Sequence, residues 1–194
     1  MSQHHRDAIF RNHSRVVCFV GLSSKPGKEG PLHALAETTL SGKVVSTVEI
    51  KLRSESRLSL FRRDNLVQKP PLSRGKLRYP TLREMTMEWS AFQNRQTEAK
   101  SSVFILLGSL VSEFFRSKRE IRLVDCPHAD GRLLKWAGVD KMGMIILAVA
   151  HPSYVGIYAR KRIEEYAELI HLATRNILMN KVFYDDLPPP ERAA

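Results

Sequence analysis

The sequence predicts an α+β fold: a single domain over residues 15–184, with a mostly antiparallel sheet packed with two central helices and one C-terminal helix. Three observations lead there. Short stretches alternate between apolar and polar residues at strand spacing, two central stretches carry helical spacing, and a longer helical pattern closes the chain. The length of 194 residues is that of one domain, and 43 % apolar with 26 % charged residues excludes a wholly disordered chain.

In chain order, residues 1–14 are polar and are expected to form a flexible N-terminal segment. Residues 15–20 are an apolar run ended by Gly21, which reads as a strand. A loop rich in Ser, Lys, Pro and Gly follows, then a helical turn or the start of a hairpin at 31–37. Residues 47–53 alternate, with Val48, Ile50 and Leu52 on a buried face, and are the clearest strand in the sequence. Residues 54–78 read as a long basic loop with a short strand at 58–61; loops of that length in compact domains are usually functional or disordered.

Thr81 and Glu84 form a capping box, and Leu82, Met85, Trp89 and Phe92 continue from it at helical spacing. Residues 101–115 read as a second, buried helix, because Val103, Leu106, Leu107, Leu110, Val111 and Phe114 make a broad apolar face. Strands are expected at 119–125 and 142–150, a short strand or turn at 131–136, and a stretch at 154–158 that pairs back. The last helix runs over 160–180, and a short Pro-rich tail occupies 185–194.

The chain carries 31 Lys+Arg against 20 Asp+Glu, a formal net charge of +11. Nine cations fall within 51–78: Lys51, Arg53, Arg57, Arg62, Arg63, Lys69, Arg74, Lys76 and Arg78. Only Glu55 and Asp64 oppose them, so +7 of the net charge lies in this stretch. Such a cluster attracts polyanions by Coulomb steering and by releasing counterions from phosphates. Apolar residues are interleaved with it, which suits RNA, whose bases stack on Phe61, or an anionic lipid surface. The plainer alternative is a solvated loop that keeps the protein in solution. Charge reversal in a segment without strong periodicity is expected to weaken polyanion binding and leave the fold intact.

No motif states a chemistry. Gly21 to Lys28 follows a strand as a phosphate-binding loop would, but five residues intervene before Gly27, and Glu29 replaces the hydroxyl that holds magnesium. Cys126, His128, Asp130, His151 and Cys18 make a zinc site only on paper, since structural zinc sites use two short-spaced ligand pairs. Cys126 with a histidine, and Asp125, Asp130 or Asp140 for acid–base work, make up the enzyme alternative. The aspartates read more simply as turn residues that satisfy backbone N–H groups. The sequence therefore assigns no catalytic residue, no metal, no cofactor and no small-molecule substrate. Two cysteines cannot build a disulfide framework, which points to a reducing, intracellular compartment. No apolar run reaches the roughly 20 residues that cross a bilayer, and no signal peptide opens the chain.

A strand at 47–53, two helices containing 82–92 and 103–111, several strands and a C-terminal helix, together with the basic character, resemble the central domain of rhabdovirus matrix proteins over 44–180. The resemblance implies a non-enzymatic assembly protein that associates with a ribonucleoprotein, with an anionic membrane and with copies of itself. The family's Pro-Pro-x-Tyr signal is not in this sequence, and no functional residue is carried over. An RNA-binding regulator using the same basic segment, with Phe61 and Tyr79 as stacking surfaces, is the alternative; an enzyme using 126–140 is the second.

The cysteines yield the first test. Cys18 lies inside an apolar strand, so Cys18→Ser should cost ~1–3 kcal/mol by placing a hydroxyl in apolar surroundings. Cys126 precedes Pro127 in a turn, and Cys126→Ser should be close to neutral. Thermal melts of the two variants decide it; equal losses would refute the assignment.

Overall fold

The computed structural model describes residues 15–23, 26–27, 30–31, 35–56, 58–69, 71–180 and 182–189. Its centre is a six-stranded mixed sheet in the order β4-β1-β7-β10-β9-β8, built from β1 (Val16–Ser23), β4 (Leu60–Val67), β7 (Ser101–Leu107), β8 (Ile121–Val124), β9 (Leu134–Asp140) and β10 (Ile145–Val149). The first four strands in that order run parallel, and β9 and β8 are antiparallel additions. Two-residue ladders, β2 (Pro26–Gly27) with β3 (Gly30–Pro31) and β5 (Leu72–Ser73) with β6 (Lys76–Leu77), stand apart from it. The class is therefore α/β, and the expected mostly antiparallel α+β arrangement is corrected.

Helices cover both faces of this sheet. The described residues hold α1 (Leu40–Ser56), α2 (Leu82–Glu98), α3 (Ser109–Lys118), α4 (Pro152–Tyr158) and α5 (Ile163–Met179). Alternate residues of each strand feed two separate cores. Val17, Phe19, Val103, Ile105, Leu107, Ile145 and Leu147 pack with Val44, Val48 and Leu52 of α1, Val155 of α4 and Ile170 of α5. Cys18, Val20, Phe104, Leu106 and Ile146 pack with Met85 and Phe92 of α2 and Phe114 and Phe115 of α3. A parallel strand buried on both faces has to be apolar at every position, so it loses the alternation that marks a half-buried strand.

That burial explains two corrections. The stretch 101–115 is not one helix. Ser101–Leu107 is the central strand, Gly108 turns the chain at φ 97°, and α3 begins at Ser109. Residues 47–53 are not a strand but the second half of α1, whose core face is Val44, Val45, Val48 and Leu52 at three- and four-residue spacing. Ile50, assigned to a buried face, is 68 % exposed. Thr39 starts the helix: its Oγ1 accepts the Gly42 N–H at 3.0 Å.

The basic loop expected at 54–78 is likewise structured, as the end of α1, β4 and the β5–β6 ladder. Residues 154–158 are helical in α4 rather than a returning strand. The first strand, the last helix and the strands within 119–125 and 142–150 stand where expected. The flexible segment expected at 1–14 and the end of the tail lie outside the described residues. Residues 182–189 run along β8, where the Arg122 guanidinium donates to the Tyr184 and Leu187 carbonyls and lies 4.2 Å from the Tyr184 ring. Among the described residues no helix is long and apolar enough to cross a membrane.

The capping box of α2 is fully formed. Glu84 N–H donates to Thr81 Oγ1 at 3.3 Å, and Thr81 N–H donates to the Glu84 carboxylate at 2.8 Å. Arg78 adds a two-pronged bond to the same carboxylate, at 2.6 and 2.7 Å. Arg78 first, then Thr81, hold the Glu84 carboxyl down from its ordinary 4.5 to about 2. A carboxyl depressed in the folded state adds stability above its unfolded value, and the gain is lost as the pH falls through the folded one. Glu84→Gln should lower the melting temperature near neutral pH, and its gap to the wild type should close between pH 4.5 and about 2. A gap that stays constant across that window in a melting series would contradict the cap.

Candidate functional site

The chain adds strands to both sides of β1. From β1 it passes through α1 to β4 on one side, then through α2 back past β1 to β7 on the other. Where the direction of winding reverses, the connections leave the strand ends toward opposite faces, and an open crevice remains at the carboxyl ends. A crevice of about 360 Å³ lies there, lined by Gly21, Leu22 and Ser23 of β1, Asn65 of β4, Leu107 and Gly108 after β7, the first turn of α3, His151 and Ser153 after β10, and Tyr79.

Each polar group in it is placed by local sequence. Asn65 is 2 % exposed, and its side chain crosses over Gly21, where a Cβ would stand 2.4 Å from Asn65 Oδ1. Any larger residue at 21 would have to displace that amide. The neighbouring Asp64 anchors the backbone beneath it: its carboxylate accepts from Gln96 Nε2 at 2.6 Å, Gln68 Nε2 at 2.6 Å, Arg95 Nε at 3.1 Å and the Asn65 N–H at 2.8 Å. Gly108 occupies the N-cap of α3 with no side-chain cap, so the N–H groups of the first turn point back into the crevice that Ser109, Leu110 and Val111 line. Lys135 Nζ contacts Ser109 Oγ at the same place.

His151 caps α4. Its Nδ1 accepts the Ser153 N–H at 3.2 Å and pairs with Ser153 Oγ at 2.7 Å. An Nδ1 that accepts from a backbone amide carries no proton, so the neutral ring is protonated at Nε2 and is a donor there. The imidazole lies over Gly108, whose added Cβ would come 3.4 Å from His151 Cβ and 3.6 Å from Cδ2. The crevice thus gathers an amide with one donor and one acceptor side, an imidazole donor, a hydroxyl and the positive end of a helix.

The cations of 51–78 do not form one surface. Lys51 is held by Glu55 at 2.5 Å and Glu168 at 2.6 Å, Arg78 by Glu84, and Arg63 by Glu49 at 2.8 Å with further bonds to Ser46 and the Leu35 carbonyl. Arg62 lies 3.8 Å from Asp64, and the exposed Arg53 stacks at 5.1 Å over Phe61, which is half-buried against Phe19. Arg53, Arg62 and Arg63 line a larger groove of about 920 Å³ along the outer edge of β4, together with Glu37, Glu49 and Asp64. Its charges are largely paired with one another, which leaves it a poor receiver of a polyanion. Lys69, Arg74 and Lys76 are exposed beyond the end of β4, at the crevice end of the sheet, with no carboxylate partner among the described residues. Arg57 lies outside the described residues.

The enzyme and zinc sets are dispersed. Asp130 Oδ1 accepts from the N–H groups of Arg132, Leu133 and Leu134, and Asp140 from those of Met142 and Met144 while pairing with Arg119. They are the turn residues expected of them. Cys18 is fully buried, and burial pushes its thiol up. One cluster of metal-ligating type occurs among the described residues, Glu55, Glu168 and His171, and the Lys51 ammonium already fills it as the counter-cation. The sequence reading missed Asn65, Gly108 and the role of His151, although it placed a phosphate-loop-like turn from Gly21 to Lys28. No protein-family model matches the chain, and no curated protein matches it.

The ion-pair geometry corrects the expectation that charge reversal leaves the fold intact. Arg63→Glu should cost about 3–5 kcal/mol, because it removes a nearly buried cation and adds a carboxylate beside Glu49. Lys76→Glu, on an exposed ladder, should change stability by less than about 0.5 kcal/mol. Urea denaturation midpoints check both, and indistinguishable midpoints would refute the division.

Proposed function

We propose that the protein binds nucleic acid across the carboxyl end of its parallel strands and takes one nucleotide of it into the crevice. The observation that carries the reading is the convergence of Asn65, His151 and the uncapped start of α3 at the reversal point of the sheet, in a chain of net charge +11. An amide side chain matches the paired donor and acceptor on a base edge. The helix N-terminus suits a phosphate, and exposed Tyr79, Tyr154 and Tyr158 at the same end offer rings for neighbouring bases. The expected partners, RNA or a ribonucleoprotein, remain within this reading; an anionic membrane surface and self-association are its competitors.

A second reading is favoured by the tautomer of His151. When the bond between a base and its sugar breaks, the electron pair leaves with the base and negative charge spreads from its ring nitrogen onto its carbonyl oxygens. A neutral imidazole N–H within reach of those oxygens, beside the amides of α3, stabilises that charge. Water then supplies a hydroxyl to the sugar carbon and a proton to the base. Enzymes that act on a base first draw it out of the stack into such a pocket.

Fluorescence anisotropy with labelled single-stranded DNA and RNA oligomers, beside phosphatidylserine vesicles, tests the binding reading. The wild type should retain an oligomer, and Asn65→Ala and His151→Ala should each weaken it about tenfold, the loss of one base-edge contact. Retention on vesicles with no retention of either oligomer would overturn it. Incubating the same proteins with oligomers that each carry one non-standard base, then scoring alkali-labile breaks, decides the second reading: breaks should form with the wild type and vanish with His151→Ala.

A further inference from the structure

We infer that the hairpin over residues 71–79 is a second binding element of this site, an arm that holds the nucleotide next to the one in the crevice, with Tyr79 stacking on its base and Arg74 and Lys76 on its phosphate. The inference rests on the nucleic-acid reading and adds to it a subsite and its residues.

The arm is built to keep a shape while exposing its tip. Its stem is closed by the Arg78 N–H donating to the Pro71 carbonyl at 3.1 Å and by the β5–β6 ladder. The Arg78 guanidinium then ties the stem to the start of α2 through Glu84 and donates to the Tyr79 carbonyl at 3.0 Å. At the tip, Arg74 has φ 52° and Gly75 φ 75°, two consecutive left-handed residues. Such a turn favours Asn, Asp or Gly at its first position. An arginine held there stands in place of the easier residue types and leaves an exposed cation at the turn of the hairpin. Strain of this kind at an exposed, unpacked tip has no packing return, since an added Cβ on Gly75 would meet nothing within 4 Å.

Tyr79 joins the arm to the crevice. It lines the crevice wall yet is 77 % exposed, so its ring is a free face at the mouth rather than a core contact. Arg74 and Lys76 stand exposed without a carboxylate partner among the described residues, whereas Arg78 in the same segment is spent on Glu84. A free ring beside unpaired cations, on a braced hairpin next to a nucleotide-sized pocket, is the combination that holds single strands: the ring takes any base and the cations follow the backbone. A lipid surface would need the cations without the ring at the pocket mouth.

Anisotropy with a fluorescein-labelled single-stranded DNA of roughly ten nucleotides, at about 50 and 200 mM salt, tests the arm. The Arg74→Glu, Lys76→Glu double variant should lower affinity and flatten the salt dependence by about two charges' worth of slope. Tyr79→Ala should weaken binding about tenfold with the slope unchanged, and Tyr79→Phe should restore it. Unchanged thermal melts certify that the variants fold. If the hairpin variants bind as the wild type does while Asn65→Ala does not, the arm is refuted and the crevice reading stands. If the wild type itself fails to hold the oligomer, both fall together.

Discussion

A sheet covered by helices on both faces has only two kinds of place where its backbone can meet a ligand: its lateral edges and the ends of its strands. The whole arrangement of this protein follows from that restriction. Phe19, Ile105 and Leu147 on one face, and Val20, Leu106 and Ile146 on the other, are fully buried, so the middles of β1, β7 and β10 offer no polar side chain to a ligand. One lateral edge, β8, is strapped by residues 182–189 through Arg122. The other, β4, is blunted by side chains: Arg95 Nη2 takes the Asn65 carbonyl at 3.0 Å, and Asp64 takes the Asn65 N–H. Beside the charge-paired groove along β4, what remains open is the carboxyl end of the parallel strands, where Asn65, His151 and the first turn of α3 meet.

Asp64 connects the fold to that end. A buried carboxylate is costly unless its acceptor sites are filled, and four donors from β4, α2 and the segment between them fill this one. The same bonds pin the edge strand against α2 one residue before Asn65. The crevice amide is therefore positioned by a polar network on its own backbone, and Gly21 across from it supplies clearance. On the far wall, Gly108 plays the matching part for His151, allowing the chain to turn from β7 into α3 while the imidazole lies against it.

How much of this was legible depends on whether the signal was local. The capping box of Thr81 and Glu84, the first strand and the last helix are short-range patterns, and the structure holds all three, with the strand running through Gly21 to Ser23. The stretch 47–53 misled because Val48, Ile50 and Leu52 satisfy a two-residue period by coincidence. Only a wider window that includes Val44 and Val45 shows the helical face on which Ile50 has no place. The stretch 101–115 misled for a physical reason, since a strand buried on both faces and the helix after it join into one apolar run. Gly108 was the available signal, and its positive φ is what separates the two. The site was less legible still. Asn65, Gly108 and His151 come from three separate strand ends and meet only through a crossover, which no spacing in the sequence records.

Charge density along the chain located the basic segment without showing which of its cations are paired in the fold. Folding sorts the 51–78 cluster by cost. Arg63 sits where little water reaches, so it must have Glu49, and Lys51 is enclosed by Glu55 and Glu168. Lys69, Arg74 and Lys76 lie past the end of β4, where solvent pays for their charge and no partner is needed. A net charge counted along the chain adds these two populations together, although the paired cations carry little field into solution. Lys69, Arg74 and Lys76 lie at the end of the sheet where the crevice opens, so their field and the polar groups of the crevice face the same solvent. Burial thus decides the direction of the field as well as the stability of the fold.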